Sequence, residues 1–208
     1  DSNSRYAQGG IAAVMSAEDN VQSHIQDTLK AGAGLCREEA VRTMVEEGPA
    51  RIRDLLDWGV EFAKETVNGF ELGREGGHSQ RRVLHAGDFT GQEIMQVLLK
   101  RLILNGRIEY FENHMAVNLI THGFGAETEC LGAYVFDETS GTVKTFVAHS
   151  TVLATGGSGK VYLYTTNPDV ATGDGVALGF RAGARVANME FFQFHSNNQC
   201  QIFFSIEF

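Results

Sequence analysis

The densest set of reactive side chains lies in Arg74-Glu75-Gly76-Gly77-His78-Ser79, followed by Arg82, His85, Asp88 and Thr90. Arg, Glu and His beside paired glycines can gather around a small charged molecule, because glycine lets the backbone turn back on itself. The same composition also suits a polar loop on the surface. Within it Glu75 is the informative residue, since a carboxylate favours a cationic ligand group and disfavours an anionic one.

Four more segments are candidates, three of them combining glycine with polar groups. Asn3, Ser4, Tyr6, Ala7, Gln8, Gly9 and Gly10 open the chain. Such a run can lay backbone N–H groups against a flat polar ring or a phosphate. Val152-Leu153-Ala154 leads into Thr155-Gly156-Gly157, a strand end delivered to a glycine turn, which is the ligand-facing geometry of α/β sheets. It is not a phosphate loop: that motif needs Gly and Ser or Thr where Ala154 and Val161 stand. Thr172-Gly173-Asp174-Gly175 opens a helix, and Asp174 there can cap it, meet a hydroxyl or amide of a ligand, or do both. The last segment, Asn188 to His195, sets Gln193 and His195 among aromatic residues, where a lone histidine is more often a packed one. His24, His114, His122 and His149 show no ligand spacing and read as structural or exposed.

The elements that position these segments follow from periodicity. Val21, Ile25, Thr28 and Leu29 predict a helix over 20–31, capped by Asp19 or Asn20. A second spans 38–58, with Val41, Met44, Val45, Ile52, Leu55 and Leu56 inward, Pro49 breaking it and Gly59 ending it. Thr90 and Glu93 form a capping box for a third helix that stops at Asn105-Gly106. Strands are predicted over 116–121, 130–137 and 142–148, with a hairpin loop at Thr139-Ser140-Gly141. A short buried strand is expected over 150–154. A final helix over 173–184 is expected to carry Val176, Ala177 and Phe180 on one side.

Composition bounds the rest. With 208 residues, 43% of them hydrophobic and 21% charged, the chain can bury a substantial core. A net charge of −9 argues against nucleic acid as a partner, because phosphate binding needs clustered Lys and Arg. No run of about 18 apolar residues is present, so no membrane-spanning segment and a cytoplasmic location are expected. Three separated cysteines offer neither a metal site nor a disulfide framework. Absence of a G-x-S-x-G elbow removes support for serine hydrolysis. The first residue is Asp1 and not Met, and a glycine motif follows at once, which reads as the interior of a longer protein.

Taken in order, the segments resemble the succinate dehydrogenase, fumarate reductase and L-aspartate oxidase flavoprotein superfamily over about residues 2–195. Tyr6-Ala7-Gln8-Gly9-Gly10-Ile11-Ala12 and the string from Arg74 to Glu93 are most similar to the L-aspartate oxidase branch. The resemblance implies an α/β fold: an FAD-binding domain over 1–190 that lacks its first β-α-β unit and carries a small antiparallel β layer. It implies a capping domain beginning at 191, with a tail from residue 196 that departs from the family. It further implies FAD held by Asn3, Ser4, Tyr6, Ala7, Gln8, Gly9, Gly10, Thr155, Gly156, Gly157 and Asp174. Asn3 stands where the membrane-complex members place a flavin-linking histidine, so the implied FAD is non-covalent. Glu75 is implied to meet the substrate amino group, with Gln193 and His195 beside its carboxylates. The implied reaction is oxidation of L-aspartate to iminoaspartate, with O₂ or fumarate as acceptor, toward quinolinate and NAD. Quinolinate synthase is a candidate partner, and the fragment is expected to be inactive alone. Two alternatives stay open: a succinate dehydrogenase or fumarate reductase flavoprotein, and a non-catalytic remnant.

Overall fold

The structure is a computed structural model that describes residues 2–66, 69–194, 200–202 and 205–207. It divides into two compact units, one of Ser4–Ile108 and one of Glu109–Phe208 with Asp1–Asn3.

The first unit is built on β1 (Ile11–Ala12), helices α1 (Val21–Ala31) and α2 (Glu38–Trp58), short strands β2 (Lys64–Thr66), β3 (Gly69–Phe70), β4 (Leu72–Gly73) and β5 (Val83–Leu84), and helix α3 (Thr90–Leu104). Asn20 caps α1, its side chain accepting from the Ser23 amide at 2.8 Å. Pro49 was expected to break α2, yet the helix runs through it without interruption. The physical reason is burial on both sides of the proline. Val41 and Val45 pack with Ile25 in one cluster, while Ile52 packs with Ala13, Val60, Phe62 and Leu84 in another. At ~1.5–3 kcal/mol for each fully buried aliphatic side chain, these anchors offset the lost hydrogen bond. Met44, expected inward, is 56% exposed. Gly59 ends α2 at φ +104, in the left-handed region that only glycine enters at little cost.

The capping box at α3 is not formed. Phe89 occupies the cap position without a side-chain bond. Thr90 is buried and its hydroxyl donates to the Gly9 carbonyl at 3.0 Å while accepting from the Ala86 amide at 2.9 Å. Glu93 accepts from the Glu61 amide at 3.2 Å. Tertiary partners take both side chains away from the local motif.

The second unit centres on an antiparallel meander of β6 (His114–His122), β7 (Glu129–Asp137) and β8 (Thr142–Val147). This is the small antiparallel layer read from the sequence. Its hairpin loop is organised by buried Asp137, which accepts from the Thr139 amide at 2.9 Å, Ser140 Oγ at 2.8 Å and Lys144 Nζ at 2.7 Å. Helix α4 (Asp174–Arg181) follows, and Arg181 ties it to β6 through the Val117 carbonyl at 2.9 Å and Asn118 Oδ1 at 3.0 Å. Leu178 and the two glycines beside it form the buried face, whereas Phe180, expected to pack, is 70% exposed. Strand β9 (Arg185–Ala187) pairs with β12 (Ser205–Glu207), and β10 (Phe192–Phe194) with β11 (Cys200–Ile202). No strand forms over 150–154, because no described backbone ladder pairs with it, and Val152 is 85% exposed. Among the described residues no helix is long and apolar enough to cross a membrane.

Candidate functional site

In the first unit, β1, β5 and β4 form one small antiparallel sheet in the order β1-β5-β4. Both glycine-bearing loops of that unit spring from it. Residues 4–10 feed β1, and residues 74–82 connect β4 to β5. Ile11 pairs with Leu84 and Leu84 with Leu72, whereas Ala12 pairs with Val83 and Val83 with Gly73. The two loops therefore leave opposite ends of a sheet only two residues deep.

Ser4, Tyr6, Ala7, Gln8, Gly9 and Gly10 are all exposed. Their carbonyls are fastened to the start of α3: the Gly91 amide donates to the Ala7 carbonyl at 2.9 Å, and Thr90 donates to Gly9. A Cβ on Gly91 would overlap the Ser4 carbonyl and lie 2.9 Å from that of Ala7, so only glycine permits this seat. A Cβ on Gly9 would meet nothing within 4 Å, which leaves one face of the loop open to a ligand.

Glu75 is exposed on a tight turn with Gly77 at φ +85. Behind that turn lies an ionic cluster that sequence reasoning missed. Arg82 has no exposed surface, and its guanidinium grips Asp19 with two bonds of 2.8 Å and Asp27 with one of 2.6 Å. It also donates to Ser23 Oγ at 3.2 Å and lies 3.4 Å from His78 Nδ1. Two-pronged Arg–carboxylate pairing of this kind is the stronger class of charge-assisted bond. Partial burial alone would push the Asp27 carboxyl up, but bonds from Ser79 and Arg82 overcome it and hold it at about 2. Burial pulls the Arg82 guanidinium down, and Asp19 and Asp27 more than reverse that, so it stays charged. Next to it His24 is buried, and burial followed by the charge of Arg82 lowers its pKa. The missed signal was a polar stripe, Asp19, Ser23 and Asp27, at four-residue spacing beside the apolar stripe of α1. A cavity of about 1020 Å³ opens nearby, walled by Met15, Glu18, Phe70, Glu71, Arg74 and Arg81, and Glu75 does not line it.

In the second unit the Thr155-Gly156-Gly157 turn packs against the beginning of α4. The Gly173 amide donates to the Gly157 carbonyl at 3.3 Å, and a Cβ on Gly175 would overlap the Thr155 hydroxyl. Asp174 is exposed in the first helical turn, but it forms no cap bond; Gly173, at φ +82, holds the cap position. Gly156, at φ +73, also faces open space. Asn3 belongs here, donating to Asn167 Oδ1 at 3.3 Å, and Asn167 in turn packs on Gly159. The structure thus brings Asn3, Thr155, Gly156, Gly157 and Asp174 into one unit, and Ser4 to Gly10 with Glu75 into the other. Gln193 lies on β10, and His195 falls outside the described residues.

These features fit a dinucleotide of the flavin type. Open glycine faces admit close backbone approach, and the N-terminus of α4 offers partial positive charge.

Comparison with known proteins gives a consistent result. The FAD binding domain family matches residues 1–203. L-aspartate oxidase 1 of Ralstonia nicotianae is 52% identical over 196 residues, covering 92% of this chain and 37% of that protein. The chloroplastic L-aspartate oxidase 2-a of Nicotiana tabacum is 46% identical over 195 residues, covering 94% of this chain and 30% of that protein. Among solved structures, E. coli quinol fumarate reductase superposes with a TM-score of 0.88 at 29% identity, over 93% of this chain and 32% of that one. The Mycobacterium smegmatis Sdh1 complex gives 0.86 at 31%, over 94% of this chain and 35% of that one. The chain therefore spans about a third of the length of the curated relatives it matches.

Proposed function

Because this chain belongs to the FAD binding domain family, we propose that it is the flavin-binding part of an FAD-dependent L-aspartate oxidase. That enzyme oxidises L-aspartate to iminoaspartate with O₂ or fumarate as acceptor. The observation that carries this reading is the identity gap. About half of the aligned residues are shared with L-aspartate oxidases, 52% and 46%, against 29% and 31% for the fumarate reductase and Sdh1 chains of the same fold.

FAD, when bound, supplies the two-electron oxidation, and the chain's own residues supply place and charge. Ser4, Tyr6, Ala7, Gln8, Gly9, Gly10, Thr155, Gly156, Gly157 and Asp174 are the residues that would hold FAD. Asn3 has an amide where a covalent link would need an imidazole, so the flavin is held without a bond. Glu75 faces the substrate ammonium, and Gln193 and His195 take its carboxylates. The imine product hydrolyses in water, which favours prompt consumption by an enzyme such as quinolinate synthase on the way to NAD.

The test uses the full-length protein that contains this chain. It is expected to purify yellow, to release FAD on acid precipitation, and to lose its flavin absorbance with L-aspartate in the absence of O₂ but not with succinate. Bleaching by succinate alone would favour the succinate dehydrogenase reading, which the structural neighbours support. A colourless protein would mark a remnant without cofactor.

A substitution in the seat of the flavin loop gives a second check. Gly91→Ala improves helix propensity by ~1 kcal/mol, so any loss must come from crowding the Ser4 and Ala7 carbonyls. Overpacking of this sort costs about 1–3 kcal/mol. FAD affinity, measured by flavin fluorescence on titration, is expected to fall by roughly 5- to 150-fold.

A further inference from the structure

The turn that carries Glu75 has few bonds of its own. The His78 amide donates to the Glu75 carbonyl at 3.2 Å, and Arg74 Nε donates to the His78 carbonyl at 3.0 Å. Those bonds close the turn without tying it to a scaffold. Its attachment comes from α1. Asp27 Oδ2 accepts from the Ser79 amide at 2.7 Å and from Ser79 Oγ at 2.8 Å, and Ser23 Oγ lies 3.1 Å from the same hydroxyl. The same oxygen also accepts from fully buried Arg82, whose other N–H groups go to Asp19 and Ser23, with His78 Nδ1 3.4 Å away. One carboxylate thus joins a rigid helix, a buried cation and the last residue of the turn.

We propose that Asp27 is a positioning residue for Glu75, setting the place of that carboxylate and with it the preference for a substrate bearing an amino group. This rests on the reading of Glu75 given above. Asp27 touches neither flavin nor substrate; it acts by removing the freedom of the turn. A carboxylate that wanders by an ångström loses most of a short charge-assisted bond to an ammonium group. Apolar packing would not serve, since Ser79 offers only polar groups. Nor would a neutral amide, which lacks the charge that buried Arg82 requires.

The experiment compares Asp27→Asn, Glu75→Gln and the double variant in the full-length, FAD-loaded protein. Asp27→Asn is expected to raise KM for L-aspartate roughly 10-fold, with kcat within about 3-fold and FAD content unchanged, the size expected from losing one charge-assisted hydrogen bond. Amide exchange at Ser79 should quicken in the same variant. In the Glu75→Gln background, Asp27→Asn should add almost nothing to KM, because the group it positions is already disabled. Ser79→Ala, which removes one bond and leaves Arg82 paired, should raise KM in the same direction by less. Should Asp27→Asn misfold, Ser79→Ala carries the test. The proposal is overturned if Ser79 exchange quickens while KM stays at the parent value, or if the two effects add in full. Failure of the underlying reading shows separately, as an unchanged KM in Glu75→Gln alone, and that result removes the proposal with it.

Discussion

Replacing Arg82 by Met is expected to destabilise the Ser4–Ile108 unit by about 3–5 kcal/mol, the cost of breaking a buried ion pair from one side. Methionine fills much of the same volume, so the loss is electrostatic and not a cavity. Asp19, whose side chain is only 1% exposed, is left without its two bonds, and Asp27 loses one of three. Hydrogen exchange at the Ile25 and Leu84 amides, both in fully buried residues, measures this in the full-length protein. Exchange there should accelerate by about two to four orders of magnitude. Arg51→Ala provides the contrast. Its partner Asp54 lies at 2.9 Å, yet the arginine is 67% exposed, and exposed pairs of this sort contribute about 0–1 kcal/mol. Equal effects from the two variants would show that the buried cluster is not what holds the unit.

Glu75→Gln is expected to have the largest effect on substrate choice. Glutamine has nearly the shape of glutamate and keeps one acceptor oxygen, so the change isolates charge. A hydrogen bond to a charged group contributes about 1.5–3 kcal/mol, against about 0.5–1.5 for a neutral one. In the full-length enzyme kcat/KM for L-aspartate should therefore fall roughly 5- to 15-fold, mainly through KM, since ground state and transition state carry the same ammonium. Affinity for succinate, measured as competitive inhibition, should hold or improve, because the glutamate that repels a plain dicarboxylate is gone. A loss shared equally by aspartate and succinate would point to collapse of the turn and not to recognition of the amino group.

Much of the local architecture was legible without coordinates. Helix α1 with its Asn20 cap, the Gly59 stop and the β7–β8 hairpin each depend on residues within a few positions of one another. Where a distant partner competed, local rules failed. Thr90 and Glu93 abandon their capping box for the Gly9 carbonyl, the Ala86 amide and the Glu61 amide. Pro49 stays inside α2 because two separate clusters hold the helix on either side of it. Residues 150–154, read as a strand from their apolar run, have no ladder partner among the described residues.

The chemistry divides in the same way. The order of the glycine-bearing segments, Arg74-Glu75-Gly76-Gly77-His78 among them, resembles a flavoprotein family in the chain alone, and the FAD binding domain match agrees with that resemblance. Sequence also determined that Asn3 lacks the imidazole a covalent flavin would need. Only the tertiary structure showed that Arg82, quoted in the motif as one more polar residue, is a buried cation shared by Asp19 and Asp27. Those carboxylates lie 63 and 55 positions away, and no periodicity reports a contact at that distance. Burial turns an ordinary surface triad into the support of the Glu75 turn, because charges removed from water must be paired where they stand.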